Sequence, residues 1–179
     1  YGHTLGNSLR RIILSSLSGA AITSLKIDGV DHEFALIDGV KEDVLNIILN
    51  LKRVRFKLVT DEPQTVTLKF KGTGVVSASD IETSGQVEVL TPEQYICEVT
   101  DKKADLNIEL FIERGLGYVS KEEIQKDKMS IGHIAIDAIF TPIRRVSYEV
   151  ENMRVGDATN YNRLRISVET DGTYSPREA

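Results

Sequence analysis

Residues 1–23 read YGHTLGNSLRRIILSSLSGAAIT. At about 100° per residue, Leu5, Leu9, Ile12, Ile13 and Leu17 fall on one broad stripe, the spacing of a helix face turned toward apolar surface. Thr4 is the expected N-cap, because its hydroxyl can accept from a free N–H of the first turn. Ser18 and Gly19 are the expected stop. Arg10 sits at the rim of the stripe, where its stem can lie along apolar surface. Arg11 sits on the opposite face, beside Asn7 and Leu14. An arginine next to an off-stripe leucine reads in two ways. It is a solvated face with one exposed leucine, or it is a contact surface, since arginine is enriched where interfaces hold their binding energy. The wheel alone favours the solvated face.

Beyond this helix, ITSLKID (22–28) reads as a strand closed by an Asp-Gly turn. DGVKEDVLNIILNLKR (38–53) is a second helix, with Asp38 as N-cap and Glu42 and Asp43 at the positive end of its dipole. Its stripe is Val40, Val44, Ile47, Ile48 and Leu51, and Leu45 and Leu49 on another side predict cover on two faces. VRFKLV (54–59) and TVTLKF (65–70) flank DEPQ as a hairpin. QVEVL (86–90), YICEV (95–99), LNIELFI (106–112), IGHIAIDAIF (131–140), RVSYEVE (145–151) and LRISVET (164–170) follow as strands. Residues 114–130 read as a long loop with one helical turn, and 156–162 as a loop or short turn. Few helices and many short strands make the class α+β. A helix at the start, strands at the end and a long β-rich middle fit one domain interrupted by another.

The 179 residues suffice for one or two small domains, and 41% hydrophobic with 27% charged residues is ordinary globular composition. The net charge of −5 argues against a surface built mainly for nucleic acid. No apolar run is long enough to span a bilayer. One cysteine, Cys97, excludes an internal disulfide and reads as a small buried hydrophobe within its strand. His3, His32 and His133 show no metal-ligand spacing. GTG (72–74) and GLG (115–117) lack the further glycine of a dinucleotide loop and read as turns. Neither a nucleophile elbow nor an acidic cluster for Mg²⁺ is present. The basic doublets are dispersed, without aromatic interleaving. These residues hold no catalytic constellation, which leans toward binding or assembly. At the far end, SPREA has Ser175, Pro176 and Glu178 where a capping box places them, a helix start with no helix behind it, as in a fragment.

GHTLGNSLRRIILSSLSGAA closely resembles the signature helix of the bacterial and plastid RNA polymerase alpha subunit, N-terminal domain. KIDGVDHEF, DGVKEDVLNIILNLK, RGLGYV, FTPIRRVSYEVENMRVG and TDGT resemble further family motifs, in order, across essentially the whole chain. The resemblance implies a dimerisation and assembly domain at residues 1–18 plus 142–179, interrupted by an inserted β-rich domain at 19–141. It implies a homodimer through Leu5, Leu9, Ile12, Ile13 and Leu17 with a C-terminal helix, a strand before Tyr1, and a separate DNA-binding domain beyond a linker. It implies beta-subunit contact through Asn7, Arg11 and Leu14, which favours the contact reading of the outer face. In the other copy it implies beta-prime contact through Lys52, Ile136, Ile143, Glu151, Arg154 and Arg163. The implied function is an assembly scaffold of a bacterial, cytoplasmic, nucleoid-associated nucleotidyltransferase complex, without catalytic residues, metal or cofactor on this chain. Neither direct DNA binding by this segment nor a membrane is implied. The paralogous archaeal and eukaryotic assembly subunits are the nearer alternative and an unrelated interaction module the remoter one. Asn160 and Asn162 stand where the family commonly has acids, Arg163 where it has lysine, and Asp31 where it has an apolar residue.

Overall fold

The computed structural model describes residues 1–126 and 132–177. Ile131 of the expected strand and Glu178 of the capping-box pattern lie outside the described residues, as does the Asn160 side chain. The class is α+β and β-rich, as expected.

Helix α1 spans Gly2–Ser16 and passes through an extended Leu17 directly into strand β1, Ser18–Ile27. The helix therefore starts earlier than a Thr4 cap would allow, and its N-cap is Tyr1, with no side-chain bond. Gly2 and Gly6 lie against the C-terminal hairpin described below. Gly19 is no helix stop but a strand residue. A Cβ there would stand 1.9 Å from the Phe140 carbonyl oxygen, and one on Gly115 would stand 2.7 Å from the Phe140 ring. Gly19 and Gly115 are cross-strand partners, so two bare backbones form the slot that Phe140 fills.

Helix α2 is shorter than expected, Val44–Leu51, and its N-cap is Asp43 rather than Asp38. The Asp43 carboxylate accepts from the Asn46 N–H at 2.7 Å. Val44, Ile47, Ile48 and Leu51 are buried as expected. Leu45 and Leu49 are 39% and 49% exposed, so α2 is covered on one face and not two.

The remaining strands are β2 (Phe56–Leu58), β3 (Gln64–Lys71), β4 (Gly74–Ser77), β5 (Ile81–Glu82), β6 (Val87–Val89), β7 (Tyr95–Val99), β8 (Asp105–Leu116), β9 (Tyr118–Val119), β10 (Ile134–Ala135), β11 (Ala138–Ile139), β12 (Ile143–Val155) and β13 (Ala158–Thr170). A short helix α3, Lys121–Lys126, lies between β9 and β10. Among the described residues the main sheet runs β5-β3-β8-β1-β2-β6, with β10 also on β1. The expected β2–β3 hairpin does not form, because β8 and β1 come between them. Arg114 of β8 holds the crossing segment instead, donating to the Leu58 carbonyl at 3.0 Å and pairing with Asp61. The expected strand at 131–140 is two short ones, and much of the expected loop at 114–130 is the end of β8, β9 and α3.

The main core gathers residues from Ile22 to Ile136, with Leu106, Ile108, Leu110 and Ile112 of β8 at its centre. Strands β12 and β13 form a separate hairpin. Residues 156–162, expected as a loop or short turn, are a turn at Gly156-Asp157 followed by strand. Gly156 has φ +58°, as primed hairpin turns require, so the ladder runs to its tip in register Val155 to Ala158. Arg55 and Asp171 join the two parts, Nε to Oδ2 3.6 Å, with the Asp171 side chain only 5% exposed.

Candidate assembly surface

The side chains of α1 divide among three directions. Inward, a Cβ on Gly2 would meet Val150 at 2.7 Å, and one on Gly6 would meet Tyr148 at 2.5 Å and Leu164 at 2.9 Å. The glycines let the helix backbone lie directly on β12 and β13. Leu9, Ile13 and Leu17 follow on that side and are half-buried. Arg10 reaches round and donates from Nε to the Val146 carbonyl at 3.2 Å. On one flank Leu5 and Ile12 are 55% and 56% exposed. The stripe read from the sequence is thus split: three of its residues are half-buried and two face out.

The third direction carries Asn7 and Arg11, both exposed, with half-buried Leu14 beside them. The Arg11 side chain has no hydrogen bond or ion pair among the described residues. Its backbone carbonyl accepts from Ser15 Oγ at 2.8 Å. Leu14 marks where this face meets the rest of the molecule, since its carbonyl accepts from Thr141 Oγ1 at 3.5 Å.

The other expected contact residues fall into different settings. Even-numbered hairpin residues Tyr148, Val150, Asn162 and Leu164 meet α1, so Glu151 and Arg163 project from the opposite face. They are direct cross-strand partners, and Glu151 also receives Arg165 Nη2 at 3.4 Å. Arg154 is near the tip, donating to the Gly156 carbonyl at 2.8 Å and facing Asp157 at 3.6 Å. Asn162 donates to Asn152 Oδ1 at 3.5 Å across the strands. Lys52 caps α2 far along the chain, with Nζ 3.4 Å from Asp137 Oδ2. Ile136 and Ile143 are 3% and 4% exposed and present no surface in this structure. The implied beta-prime set is therefore not brought together: Arg154 and Arg163 are exposed, Lys52 and Glu151 are half-buried, and Ile136 and Ile143 are buried.

Cys97 is buried, and burial followed by the fields of Glu42 and Asp80 pushes its thiol up to about 12. Among the described residues no helix is long and apolar enough to cross a membrane. The model for the RNA polymerase Rpb3/RpoA insert domain matches residues 25–141. Over all 179 residues the chain is 50% identical to DNA-directed RNA polymerase subunit alpha of Roseiflexus castenholzii, 54% to that of Alkaliphilus oremlandii and 50% to that of Oceanobacillus iheyensis.

The chain belongs to the bacterial RNA polymerase alpha-subunit family.

It spans 55%, 56% and 57% of the length of those three relatives. For an alpha-family chain, the residues that sequence reasoning missed are the ones that set the helix in place. Gly2, Gly6, Gly19 and Gly115 carry no side chain for a periodicity count to register, yet each marks a close approach of backbone. The i, i+4 spacing of Gly2 and Gly6 was the available signal. The Arg55–Asp171 pair joins positions too far apart in sequence for any local pattern to show it.

Proposed function

We propose that this chain is the assembly portion of an alpha subunit: it pairs with a second copy and presents outer surfaces on which the larger subunits of the cytoplasmic polymerase assemble. The free Arg11 side chain carries this reading. A guanidinium with no partner, on the solvent side of a helix whose inner side is fixed to a sheet, is pre-placed for carboxylate or carbonyl groups of another protein. Asn7 and Leu14 complete that beta-subunit surface.

Residues 1–18 and 142–179 form the dimerisation unit in this reading, and 19–141 the insert. Its support is the separate α1–hairpin packing and a core confined to residues 22–136. The exposed flank of Leu5 and Ile12 supplies apolar surface for a second copy, with Leu9, Ile13 and Leu17 behind it. Glu151, Arg154 and Arg163 on the hairpin, and Lys52 on the insert, are the beta-prime surface. Identical chains can then meet different partners, because a symmetric dimer offers each surface twice and the first large subunit occupies only one. Catalysis belongs to other subunits.

The test uses the full-length subunit with Arg11→Ala, scored by co-purification with beta. The variant stays a folded dimer and binds beta at least about 30-fold more weakly, the scale of a desolvated arginine hot spot. Equal capture by both proteins returns Arg11 to an ordinary solvated position. Failure of the unaltered subunit to capture beta removes the scaffold reading.

A further inference from the structure

Strands β1 and β2 share one registered pair, Ala20 with Phe56, and then part. Their other edges stay in the sheet, β1 against β8 from Ser18 to Ile27 and β2 against β6 from Phe56 to Leu58. The divergence opens a cavity of about 280 Å³ between Ser18-Gly19 on one side and Lys57-Leu58 on the other. Arg114 of β8 and Thr173-Tyr174, in the segment after β13, complete its walls. That segment is tied down. The Asp171 carboxylate accepts from the Thr173 N–H at 2.9 Å, and the Asp171 N–H donates to the Pro142 carbonyl at 2.9 Å.

The lining combines rings and cations. Phe56 is buried and Tyr174 half-buried, and Lys57 and Arg114 supply the charge. Among the described residues no carboxylate lines the cavity. Arg114 pairs with exposed Asp61 and donates to the Leu58 carbonyl at 3.0 Å, and its planar fork carries further N–H groups. Lys57 is exposed and has no ion pair among the described residues, its cross-strand neighbour Glu88 included. In an antiparallel strand the N–H and C=O of one residue point the same way, so the Leu58 N–H also faces the gap. Size narrows the ligand. A cavity of about 150 Å³ takes up benzene, and drug-sized ligands occupy about 300–1,000 Å³. The space here suits one ring bearing a small charged group and is too small for a nucleotide.

We propose that this cavity binds a small aromatic carboxylate, its ring against Phe56 and Tyr174 and its charge at Lys57, Arg114 and the Leu58 N–H. None of the residues assigned to assembly lines the cavity, so the proposal does not rest on that reading. Its walls come from the main sheet and from the segment after β13, so an occupant ties the two together and stabilises the fold by mass action.

The probe is 4-fluorobenzoate, followed by fluorine NMR on the full-length subunit by itself. Saturable binding with a Kd of about 1 mM or tighter is expected. Lys57→Gln weakens the acid at least about fivefold and leaves the weaker binding of 4-fluorobenzyl alcohol unchanged, because only the acid uses the charge. Lys57 is exposed, so the melting curve of that variant stays that of the parent. Tyr174→Ala weakens acid and alcohol alike, because it removes a wall for the ring. Four results overturn the proposal: no saturable binding, binding of the acid unchanged by either variant, an alcohol that binds as tightly as the acid, or displacement by an equal concentration of inorganic phosphate. The scaffold reading is scored by capture of beta and stands whichever of these is found.

Discussion

Replacing Gly6 by alanine tests how α1 is held. In an ordinary helix interior that change is favourable by about 1 kcal/mol, because glycine has more backbone freedom to lose. Here the added methyl would stand 2.5 Å and 2.9 Å from two carbons of the Tyr148 ring and 2.9 Å from Leu164 Cδ1. Carbon atoms in contact prefer about 3.5–4.0 Å, so ring and helix must part by about 1 Å. The ring is rigid and half-buried, and it lies edge-on to His3 at 6.2 Å. Overpacking of this kind costs about 1–3 kcal/mol, and two contacted groups place it at the upper end. After the propensity gain, the net loss is about 2 kcal/mol, a fall in melting temperature of about 4–8 °C for a chain of this size. Circular dichroism melts of Gly6→Ala against the parent measure it. Ser8→Ala on the exposed side of the same helix is the control, expected to change stability by less than about 0.5 kcal/mol. A Gly6→Ala protein that melts at or above the parent temperature refutes the docking argument, since propensity alone would then have decided.

Gly19→Ala puts a methyl 1.9 Å from the Phe140 carbonyl oxygen, backbone that cannot turn aside, and should cost more than Gly6→Ala in the same melts. Asp171→Ala leaves the Arg55 side chain, only 20% exposed, with its partner gone. That variant should lose about 2–3 kcal/mol in urea unfolding, below the cost of breaking a fully buried pair. Cys97 should resist thiol reagents at pH 8 and react at once in denaturant, because its folded pKa of about 12 keeps the thiolate scarce. A raised acid pKa has a second consequence: the unfolded chain loses its thiol proton at a lower pH than the folded one. The Cys97 contribution is therefore full below about pH 9 and falls as pH rises toward about 12, a trend that Cys97→Ser should flatten.

The sequence was informative wherever a pattern was local. The β8 alternation placed four residues in the core, and the apolar face of α2 matched its burial. It misled where partners are distant. β2 and β3 look like a hairpin because only five residues separate them, yet their hydrogen bonds go to β1, β5, β6 and β8. Residues 156–162 look like a loop because they are polar, but a two-stranded hairpin with one solvated face tolerates polar residues in its ladder. At the site, Arg11 and Asn7 were legible from the wheel, since exposure follows angle. Ile136 and Ile143 were not, because their burial depends on neighbours far away in sequence.

The helix start shows how these levels combine. A capped helix would begin where a side chain can satisfy its first N–H groups, and Thr4 offers one. In the structure the helix already includes Gly2 and runs on through Thr4, and the hairpin supplies contact there. Both glycines bring the backbone onto the sheet along this stretch. That contact also fixes the helix rotation. With Gly2 and Gly6 inward, Leu5 and Ile12 must point to one flank and Arg11 must point away from the sheet. The proposed dimer and beta surfaces are thus set by two residues that take no part in either. Loosening the Gly6 contact should therefore weaken capture of both partners together, while Arg11→Ala weakens only one.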